Sequence, residues 1–508
     1  MALPKLASSR GFRSVVAGHG FFLGQAAWHY RPQCLQVRQL ASQATQEKQT
    51  SGTSTSSSSS SSSSKSQSPT ASSASSNTAS QSMPSGWEDD PDYNITDFSR
   101  LPNENFGYNQ EMKVADDFKR VLRSVRSQFR APIRYCVAYG SGVFSQASGH
   151  VAKASDYSPH PNPPEAVQRW QKGGHKIIDF LFGVSYTQHW HDLNLRQHRD
   201  HYSFLGSLGS NVVSHVQDDF GAGVYFNPYI TVNGIMIKYG VVNLDTIRTD
   251  LTEWNTLYIA GRMQKPVKIV TDDPGVKLAN QVNLMGAVRT ALLLLPETFT
   301  ETQLYTAIAG ISYMGDPRMS LPTENPRKVS NIVTAQLANF RTLYDPLITD
   351  LPNLHYSDPA CAQPDWKADP AANARLTQSM DPKMRGNMVR RLPKVFRQKL
   401  YYQYQAKFQI PGSAFDSIIE HARDEDATSF RRREGGAFEQ RIAADVDGLS
   451  DVVRGVIRST VKWPSTTQSL KGLLTGGPRK SWRYLTEKWT RSREGGAVAD
   501  KGTKEKRA

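Results

Sequence analysis

Two short segments of this chain hold the residue types that phosphate and metal chemistry needs. Residues 135–146 read YCVAYGSGVFSQ, so a strand is predicted to end in the turn Gly140-Ser141-Gly142. Glycines let a phosphate approach backbone N–H donors, and the serine hydroxyl offers one more donor. Residues 176–184 read KIIDFLFGV and predict a second strand, with Asp179 as its carboxylate. Together they indicate a site for a nucleotide's phosphates and a divalent cation.

Asp179 and Lys238 each have a structural interpretation beside the functional one. A carboxylate in an apolar strand needs a partner, because an unpaired charge there is costly, and the partner is either Mg²⁺ or a basic side chain. Lys238 lies in a third predicted strand, IMIKYGVV. It either stabilises charge on transferring phosphates or simply pairs with Asp179. The turn itself is also a common strand terminator that binds nothing.

Leu181 stands two positions after Asp179, where many nucleotidyltransferases have a second acid. A metal site usually has more than one carboxylate ligand, so another acid or the substrate phosphates must complete it. The candidates, which the sequence does not rank, are Asp192, Asp200, Asp218, Asp219 and Glu253.

Histidines are concentrated in residues 189–202, HWHDLNLRQHRDHY. Their spacing permits a zinc site, but the segment has no cysteine and its acids and arginines are interleaved, which favours contact with a ligand or a phosphate. We therefore expect His189, His191 and His201 to contact the nucleotide's phosphates. A further basic cluster, which is either a phosphate contact or a solvated surface, comprises Arg262, Lys265 and Lys268.

The net charge of +15 is concentrated at the two ends of the chain. Residues 1–46 have five arginines and lysines and no acid, a composition typical of a mitochondrial transit peptide. Residues 476–508 contain ten basic and four acidic residues and are predicted to form a disordered basic tail. The remainder is close to neutral, so no nucleic-acid partner is expected. Three cysteines without a CxxC pair fit a reducing compartment.

Residue patterning divides the part between the ends. Residues 47–104, rich in Ser, Thr and Gln, are predicted to be a disordered linker, with order beginning near Asn105. Residues 105–245 predict an α/β domain, and residues 246–440 a mostly helical one with an irregular stretch at 350–390. The predicted helices are 111–130, one capped by Asp245, 276–295, 300–311, 328–343, 392–407 and 413–423; the predicted strands are 133–139, 177–184 and 235–242.

Residues 441–475 hold a predicted basic amphipathic helix. Trp463 and Pro464 are expected to end it. Its basic side is Arg454, Arg458 and Lys462, and its apolar residues are Leu449, Val452, Val453, Val456, Ile457 and Val461. Such a helix either lies on an anionic membrane surface or docks on its own domain.

Seven blocks, in order, resemble the mitochondrial phosphatidate cytidylyltransferase family, also called translocator assembly and maintenance proteins. They are YGSGVF, IIDFLFGV, HWHDLNL, HRDHYS, IKYGVV, LYIAGRMQKPV and SYMGDPRMS, within residues 105–319, with SLKGLLTGG from Ser469 as a further match. The resemblance implies a nucleotidyltransferase domain with a mixed sheet, a helical winged-helix-like domain and a C-terminal amphipathic helix. It also implies peripheral attachment to the matrix side of the mitochondrial inner membrane, which favours the membrane as the partner of residues 441–475.

The same resemblance implies a reaction. CTP and phosphatidic acid would give CDP-diacylglycerol and pyrophosphate, with Mg²⁺, in the phospholipid biosynthesis that leads to cardiolipin. On this hypothesis Gly140, Ser141 and Gly142 hold the triphosphate, and Asp179 and Lys238 are the catalytic residues, with Asp179 also binding the metal. The three histidines named above would stabilise charge on the phosphates.

Two other functions fit parts of the pattern. An RNA-end nucleotidyltransferase would need a basic, aromatic-rich groove, for which residues 479–493 are the candidate segment. A non-catalytic inner-membrane assembly factor would keep the fold without the chemistry.

Overall fold

The computed structural model of the chain describes residues 87–88, 91–144, 177–320, 325–369, 371–421 and 434–505, and side chains are described no further than residue 477. All of these residues belong to one unit, which extends over Thr78–Ala508. The predicted transit peptide and most of the predicted linker lie outside the described residues.

Ordered packing begins before the expected position near Asn105. Ile95 is buried in a small cluster with Phe106 and Leu278. Glu88 forms an ion pair with Arg289 at 2.7 Å. The last part of the predicted linker is therefore packed against the helical region, not disordered.

A five-stranded mixed sheet carries Asp179 and Lys238. The resemblance implied a mixed sheet, and three of its five strands were predicted from the sequence. The strands are β1 (Tyr135–Tyr139), β2 (Ile178–Val184), β3 (Val224–Val232), β4 (Ile235–Asn243) and β5 (Lys268–Thr271). They stand in the order β3-β4-β2-β1-β5, with β2 and β4 parallel and the other neighbours antiparallel. Strand β5 comes from beyond the predicted domain boundary at residue 245, so the α/β part of the chain does not end there.

Helices surround this sheet and continue as a mostly helical region. They are α1 (Asp116–Ser127), α2 (Thr187–Gln197), α3 (Ser210–Asp218), α4 (Leu244–Glu253), α5 (Ala260–Met263), α6 (Pro274–Leu294), α7 (Glu301–Ile311), α8 (Lys328–Ala335), α9 (Leu337–Thr349), α10 (Pro382–Arg390), α11 (Lys394–Lys407), α12 (Gly412–His421), α13 (Ala437–Ala443) and α14 (Leu449–Glu505). Short 3₁₀ turns are Phe98–Arg100, Tyr108–Gln110, Arg199–His201, Phe204–Leu208, Pro317–Ser320, Pro359–Ala362 and Pro364–Ala368. A three-stranded antiparallel sheet lies within the helical region, ordered β6 (Thr298–Thr300), β8 (Arg375–Gln378), β7 (Leu354–Tyr356).

The two faces of the large sheet meet different partners. Side chains alternate along a strand, so neighbours such as Val137 and Ala138 point to opposite faces. Ala138 and Phe180 pack in the core that α1 completes with its Leu122. Val137 and Leu181 pack instead in the core shared with the helical region. This alternation determines which of the predicted site residues can lie close together.

Helix α14 links the helical region to the sheet. It contacts α6 and α11 near its start, then the Pro317–Ser320 turn, and then β3 and the Phe204–Leu208 turn. Its backbone is helical through Trp463 and Pro464, which the sequence predicted to end it, and it kinks at Gly477. Where the sequence predicts a disordered tail, the backbone is again helical from there to Glu505.

The apolar face of α14 is covered by the protein itself. The buried members of that face are Leu449, Val453, Val456, Ile457 and Val461. The resemblance favoured the membrane as the partner of this face, and the structure corrects that expectation, because the face docks on the chain's own domain. A membrane contact of the same helix must therefore use other residues.

Several elements differ from the sequence predictions. The predicted helix 328–343 is two helices, α8 and α9, and the stretch 350–390 contains β7, β8 and α10. Strand β3 was not predicted, although its Asn233-Gly234 link to β4 is a strong hairpin signal. Both residues have positive φ angles, 48° and 77°, as such a two-residue turn requires.

Candidate active site

Asp179 lies in the sheet between Tyr139 and Lys238. The strand register places it directly opposite Tyr139 on β1 and Lys238 on β4. Paired residues share a face, so all three side chains point toward the helical region. Lys238 Nζ lies 3.5 Å from Asp179 Oδ1, with 33% and 28% of the two side chains exposed. The ion pair that the sequence left as an alternative is formed, and it remains open to an incoming ligand.

The Gly-Ser-Gly turn passes directly beside this carboxylate. Gly140 has a φ of 83°, a conformation that residues with a Cβ rarely adopt. A Cβ at Gly140 would lie 3.1 Å from Asp179 Oδ2, and one at Gly142 would lie 2.3 Å from the carbonyl oxygen of Ile177. The two positions require glycine for different reasons. Gly142 packs against the start of β2, and Gly140 leaves the space beside Asp179 clear. Gly140 and Ser141 are exposed, whereas Gly142 is buried.

A cavity of about 280 Å³ opens at this end of the sheet. One wall is the sheet itself, and the other is built by the loop after α7, by α8 and by α14. The lining residues are Tyr139, Gly140, Ser141, Phe144, Asp179, Lys238, Leu257, Tyr258, Arg262, Lys265, Pro266, Ser312, Tyr313, Asp316, Arg318, Met319, Lys328, Ile332, Gln336 and Ser465. Five of these are basic and two are acidic, so the cavity is suited to an anionic ligand.

Lys238 and Arg262 form a first cation pair, joined by the ring of Phe226. Lys238 Nζ lies 4.5 Å from the centre of that ring, and the guanidinium carbon of Arg262 lies 6.0 Å from it. The Arg262 guanidinium also stacks on Tyr258, 3.8 Å from the ring centre, and donates to the Tyr258 carbonyl. This pair stands beside Asp179 and the Gly-Ser-Gly turn, where a triphosphate would meet it.

Asp250 positions the segment that carries Arg262. Its carboxylate is buried and accepts hydrogen bonds from the backbone N–H groups of Leu257, Ile259 and Ala260 and from both donors of Thr256. These bonds satisfy the first N–H groups of α5 and hold Leu257 at a φ of 56°. Asp250 is therefore a positioning residue for the cavity wall.

Among the described residues that line the cavity, the second acid beside Asp179 is Asp316, which the sequence did not include among the candidates. Arg318 engages both of its carboxylate oxygens, Nε at 3.0 Å from Oδ1 and Nη2 at 2.6 Å from Oδ2. Burial alone would raise the pKa of Asp316, but Arg318 outweighs it and holds this pKa below its usual value. The unranked candidates named above do not line the cavity.

His191 and His201 lie on the opposite face of the sheet from Lys238. They belong to a buried polar network centred on Tyr239, the neighbour of Lys238 on β4. His201 Nδ1 is 2.9 Å from the Tyr239 hydroxyl, and His191 is bonded to Tyr202 at 2.8 Å and to Gln217 at 2.9 Å. Burial lowers the pKa of His191 to about 4. Their arrangement serves the packing of α2 against the sheet, and neither lines the cavity.

His189 is exposed and lines a separate open groove with Tyr186, Asp192, Ser210 and Asn243. His198, Asp200 and His201 form a group that could hold a metal ion. The two imidazoles, however, are stacked with ring centres 4.3 Å apart and planes 3° apart. Ring nitrogens that share one ion must converge on it, which parallel rings do not do. The structure thus brings Gly140, Ser141, Asp179 and Lys238 together and leaves the histidines elsewhere.

Most of the residues that line the cavity were not assigned to a site from the sequence. Arg262 and Lys265 were named as a basic cluster, and the structure separates them from Lys268, which donates to the Met112 carbonyl at 2.7 Å. Tyr313, Asp316 and Arg318 lie in SYMGDPRMS, one of the seven blocks, which was the available signal.

Comparison with known proteins decides the family. A family model described as "Phosphatidate cytidylyltransferase, mitochondrial" matches residues 122–491, a range that contains every residue of the cavity. The chain belongs to this family. A relative of that name from Schizosaccharomyces pombe is 34% identical over 380 residues, which cover 75% of this chain and 85% of the relative. The Mus musculus relative of that name is 36% identical over 369 residues, which cover 72% of this chain and 93% of the relative.

The family match agrees with the sequence resemblance. A Homo sapiens relative, also named mitochondrial phosphatidate cytidylyltransferase, is 35% identical over 376 residues, which cover 72% of this chain and 70% of the relative. Like these relatives, the chain is a mitochondrial enzyme of the cytidylyltransferase class. In the described part of the chain, no helix combines the length and the apolarity that crossing a membrane requires.

Proposed function

We propose that the cavity binds CTP together with the phosphate of phosphatidic acid and joins them into CDP-diacylglycerol, releasing pyrophosphate. The observation that carries this is the cross-strand trio of Tyr139, Asp179 and Lys238 beside the Gly-Ser-Gly turn, in a cavity with five basic side chains. Two anionic substrates must meet in this reaction. A cavity rich in cations opposes their mutual repulsion.

The chemical step is an in-line displacement. A phosphate oxygen of the lipid attacks the α-phosphorus of CTP, forming a P–O–P bond, and the bond to the β-phosphate breaks, with pyrophosphate taking the electron pair. Such a transfer depends mainly on positioning and on charge stabilisation. Gly140 and Ser141 offer exposed donors for the triphosphate, and Lys238 and Arg262 supply positive charge beside them.

Asp179 is the residue that would hold Mg²⁺. Mg²⁺ typically binds one or two carboxylates, substrate phosphates and waters, so a single protein carboxylate suffices. Asp316 cannot readily serve as the second ligand, because Arg318 engages both of its oxygens. When bound, the ion would neutralise charge on the phosphates. Removal of divalent ions by a chelator should abolish activity, and added Mg²⁺ should restore it.

The direct test uses the full chain with CTP labelled at the α-phosphate, Mg²⁺ and vesicles containing phosphatidic acid, or RNA in their place. The proposal requires lipid-soluble label in the vesicle reaction. Label in RNA would favour the RNA-end alternative, and label in neither would favour a non-catalytic assembly factor. Asp179→Asn should lower kcat by at least about 100-fold. Asp192→Asn is the matched control, because Asp192 lies outside the cavity and pairs with Arg196.

The placement of domains and membrane completes the proposal. The five-stranded sheet would be the nucleotidyltransferase domain, and the helical region with its three-stranded sheet the winged-helix-like domain. We propose that the enzyme attaches peripherally to the matrix side of the inner membrane, where its product would serve cardiolipin synthesis. Ser465 lines the cavity on the same helix whose exposed Trp463 and Leu470 could enter a bilayer.

The residues that we propose to face the membrane differ from those the sequence indicated. Trp463 is 71% exposed and Leu470 64% exposed, while the predicted apolar face of α14 is buried. Further exposed apolar side chains adjoin this part of α14: Phe204, Leu208, Phe220, Leu473 and Leu474. Ser203 Oγ donates to the Leu474 carbonyl at 2.9 Å and Lys471 Nζ donates to the Phe220 carbonyl at 2.6 Å, which ties these segments together. A patch of this kind with exposed Arg458 and Lys462 on the helix suits an anionic bilayer.

A further inference from the structure

The cavity holds a second pair of cations, on a different ring from the first. Lys265 Nζ lies 5.2 Å and Lys328 Nζ 5.3 Å from the centre of the Tyr313 ring. Lys328 opens α8 in the helical wall, whereas the first cation pair, Lys238 and Arg262, meets at Phe226 beside the sheet. One cavity therefore contains two distinct places where positive charge is concentrated.

Within the second pair, Lys265 is held in place by hydrogen bonds and is not neutralised by an acid of the described residues. Lys265 Nζ donates to Ser312 Oγ at 2.8 Å and to the Gly261 carbonyl. No carboxylate of the described residues lies within ion-pair distance of it. The nearby acid Asp316 is engaged by Arg318 through both oxygens. The backbone at Gly261 packs closely against Ser312, because a Cβ at Gly261 would lie 2.3 Å from Ser312 Cβ.

Burial and like charges make this arrangement costly without an anion. They lower the pKa of the Lys265 ammonium to about 7, burial being the larger cause and repulsion from Arg262 and Lys328 the other. An anion bound by both lysines would offset the part of this pKa shift that repulsion between like charges causes. Clusters of this kind are characteristic of functional sites.

We propose that Lys265 and Lys328, which both lie beside the Tyr313 ring, form the subsite for the phosphate monoester of the acceptor lipid. This rests on the proposed function, since a cytidylyl transfer needs two phosphate subsites and the turn, Asp179 and the first cation pair serve the triphosphate. Before the reaction, the attacking oxygen of the lipid phosphate must lie within about 3–3.5 Å of the α-phosphorus of CTP. Both phosphate subsites must therefore belong to one cavity. Ile332, one turn after Lys328 on α8, and Met319 give this end an apolar lining suited to the glycerol and acyl carbons.

The test is a split between the two Michaelis constants. Lys265→Gln and Lys328→Gln should each raise the KM for phosphatidic acid at least about 10-fold, with little change in the KM for CTP, since loss of one charge-assisted phosphate contact is worth about 1.4 kcal/mol or more. Lys238→Gln should do the reverse. Lys268→Gln is the matched control, a half-buried lysine of the same sequence cluster that lies outside the cavity.

A second measurement distinguishes loss of the lipid subsite from loss of the fold. Binding of a non-hydrolysable CTP analogue, measured by calorimetry without lipid, should be retained by the Lys328→Gln protein, which shows that its fold and nucleotide site are intact. A raised KM for CTP, or two unchanged KM values, would overturn the subsite while leaving the proposed function standing. If the unaltered chain makes no lipid product from CTP, the proposed function itself fails.

Discussion

Lys238 Nζ stands 3.5 Å from Asp179 Oδ1 across the parallel pair of strands β2 and β4. In the absence of substrate the two charges neutralise each other in the lining of a cation-rich cavity. A triphosphate with a divalent ion offers each of them a better partner, the phosphate for Lys238 and the metal for Asp179. The pair therefore keeps both groups in position until substrate arrives.

Replacement of Lys238 separates its role in binding from its role in the fold. We expect Lys238→Met to lower kcat/KM for CTP at least about 10-fold, and Lys238→Arg to retain part of it. The free energy of unfolding should change by less than about 1 kcal/mol, because the ion pair is partly exposed. Denaturant melts and initial rates measure the two effects. A large stability loss with normal kinetics would show that the pair is structural.

The backbone at Gly140 sets the space beside Asp179. Gly140→Ala should cost about 1–2 kcal/mol of stability, because φ is positive there, and should also lower activity, because the new Cβ would meet the carboxylate. Gly455→Ala, in the interior of α14 with nothing within 4 Å of its Cβ, is the control and should be neutral or stabilising. Equal effects of the two substitutions would argue against a special role for the turn.

Titration of Lys265 predicts a pH dependence of lipid binding. Its pKa is lowered to about 7, so in the free enzyme the ammonium loses its proton as pH rises above that value. We expect the KM for phosphatidic acid to rise several-fold, on the order of the charge lost, between about pH 7 and pH 8.5. Lys265→Arg keeps its charge throughout and should flatten the rise. The second ionisation of the lipid phosphate is common to both proteins, so parallel profiles would contradict the prediction.

The buried His191 predicts acid sensitivity of the fold. Its folded pKa of about 4 lies below the usual value of 6.5, so its contribution to stability is complete above about pH 6.5 and is lost as pH falls toward 4. Between pH 7 and pH 5 this amounts to about 2 kcal/mol. Urea unfolding of His191→Gln should show a smaller loss over that interval. His215→Gln, at an exposed histidine paired with Asp219, should keep the full loss.

Membrane attachment through α14 can be tested with two equally exposed aliphatic residues. Leu470 and Val446 are each 64% exposed, but Leu470 belongs to the proposed membrane patch and Val446 precedes α14. Leu470→Ser should weaken sedimentation with vesicles containing anionic lipid, by about 1.5–3 kcal/mol for a fully inserted leucine. Val446→Ser should not. Equal weakening, or none in either protein, would remove this patch from consideration.

Features set by local interactions were predictable from the sequence, and features set by contacts between distant segments were not. The strand–turn–strand order with Asp179 was predictable, because alternation and glycine signals are local. The place of the histidines was not predictable from the sequence. Lys238 and Tyr239 are neighbours on β4 and therefore point to opposite faces of the sheet, and the buried histidines belong to the face of Tyr239. Lys328, Asp316 and Ser465 reach the cavity by packing between distant segments, which no spacing in the chain encodes. The apolar spacing of α14 predicted a helix correctly but not which surface covers it.

Among the residues that the structure describes, Ser465 is the last in chain order to line the cavity. A chain is made and threaded from its amino end, so the sheet and the helical region can fold before α14 is present. Until residue 465 and its neighbours cross from α11 to β3, the cavity lacks one side. The enzyme is therefore expected to be inactive until residue 465 is in place, and a fragment that stops before this helix should make no product even when the rest of it folds.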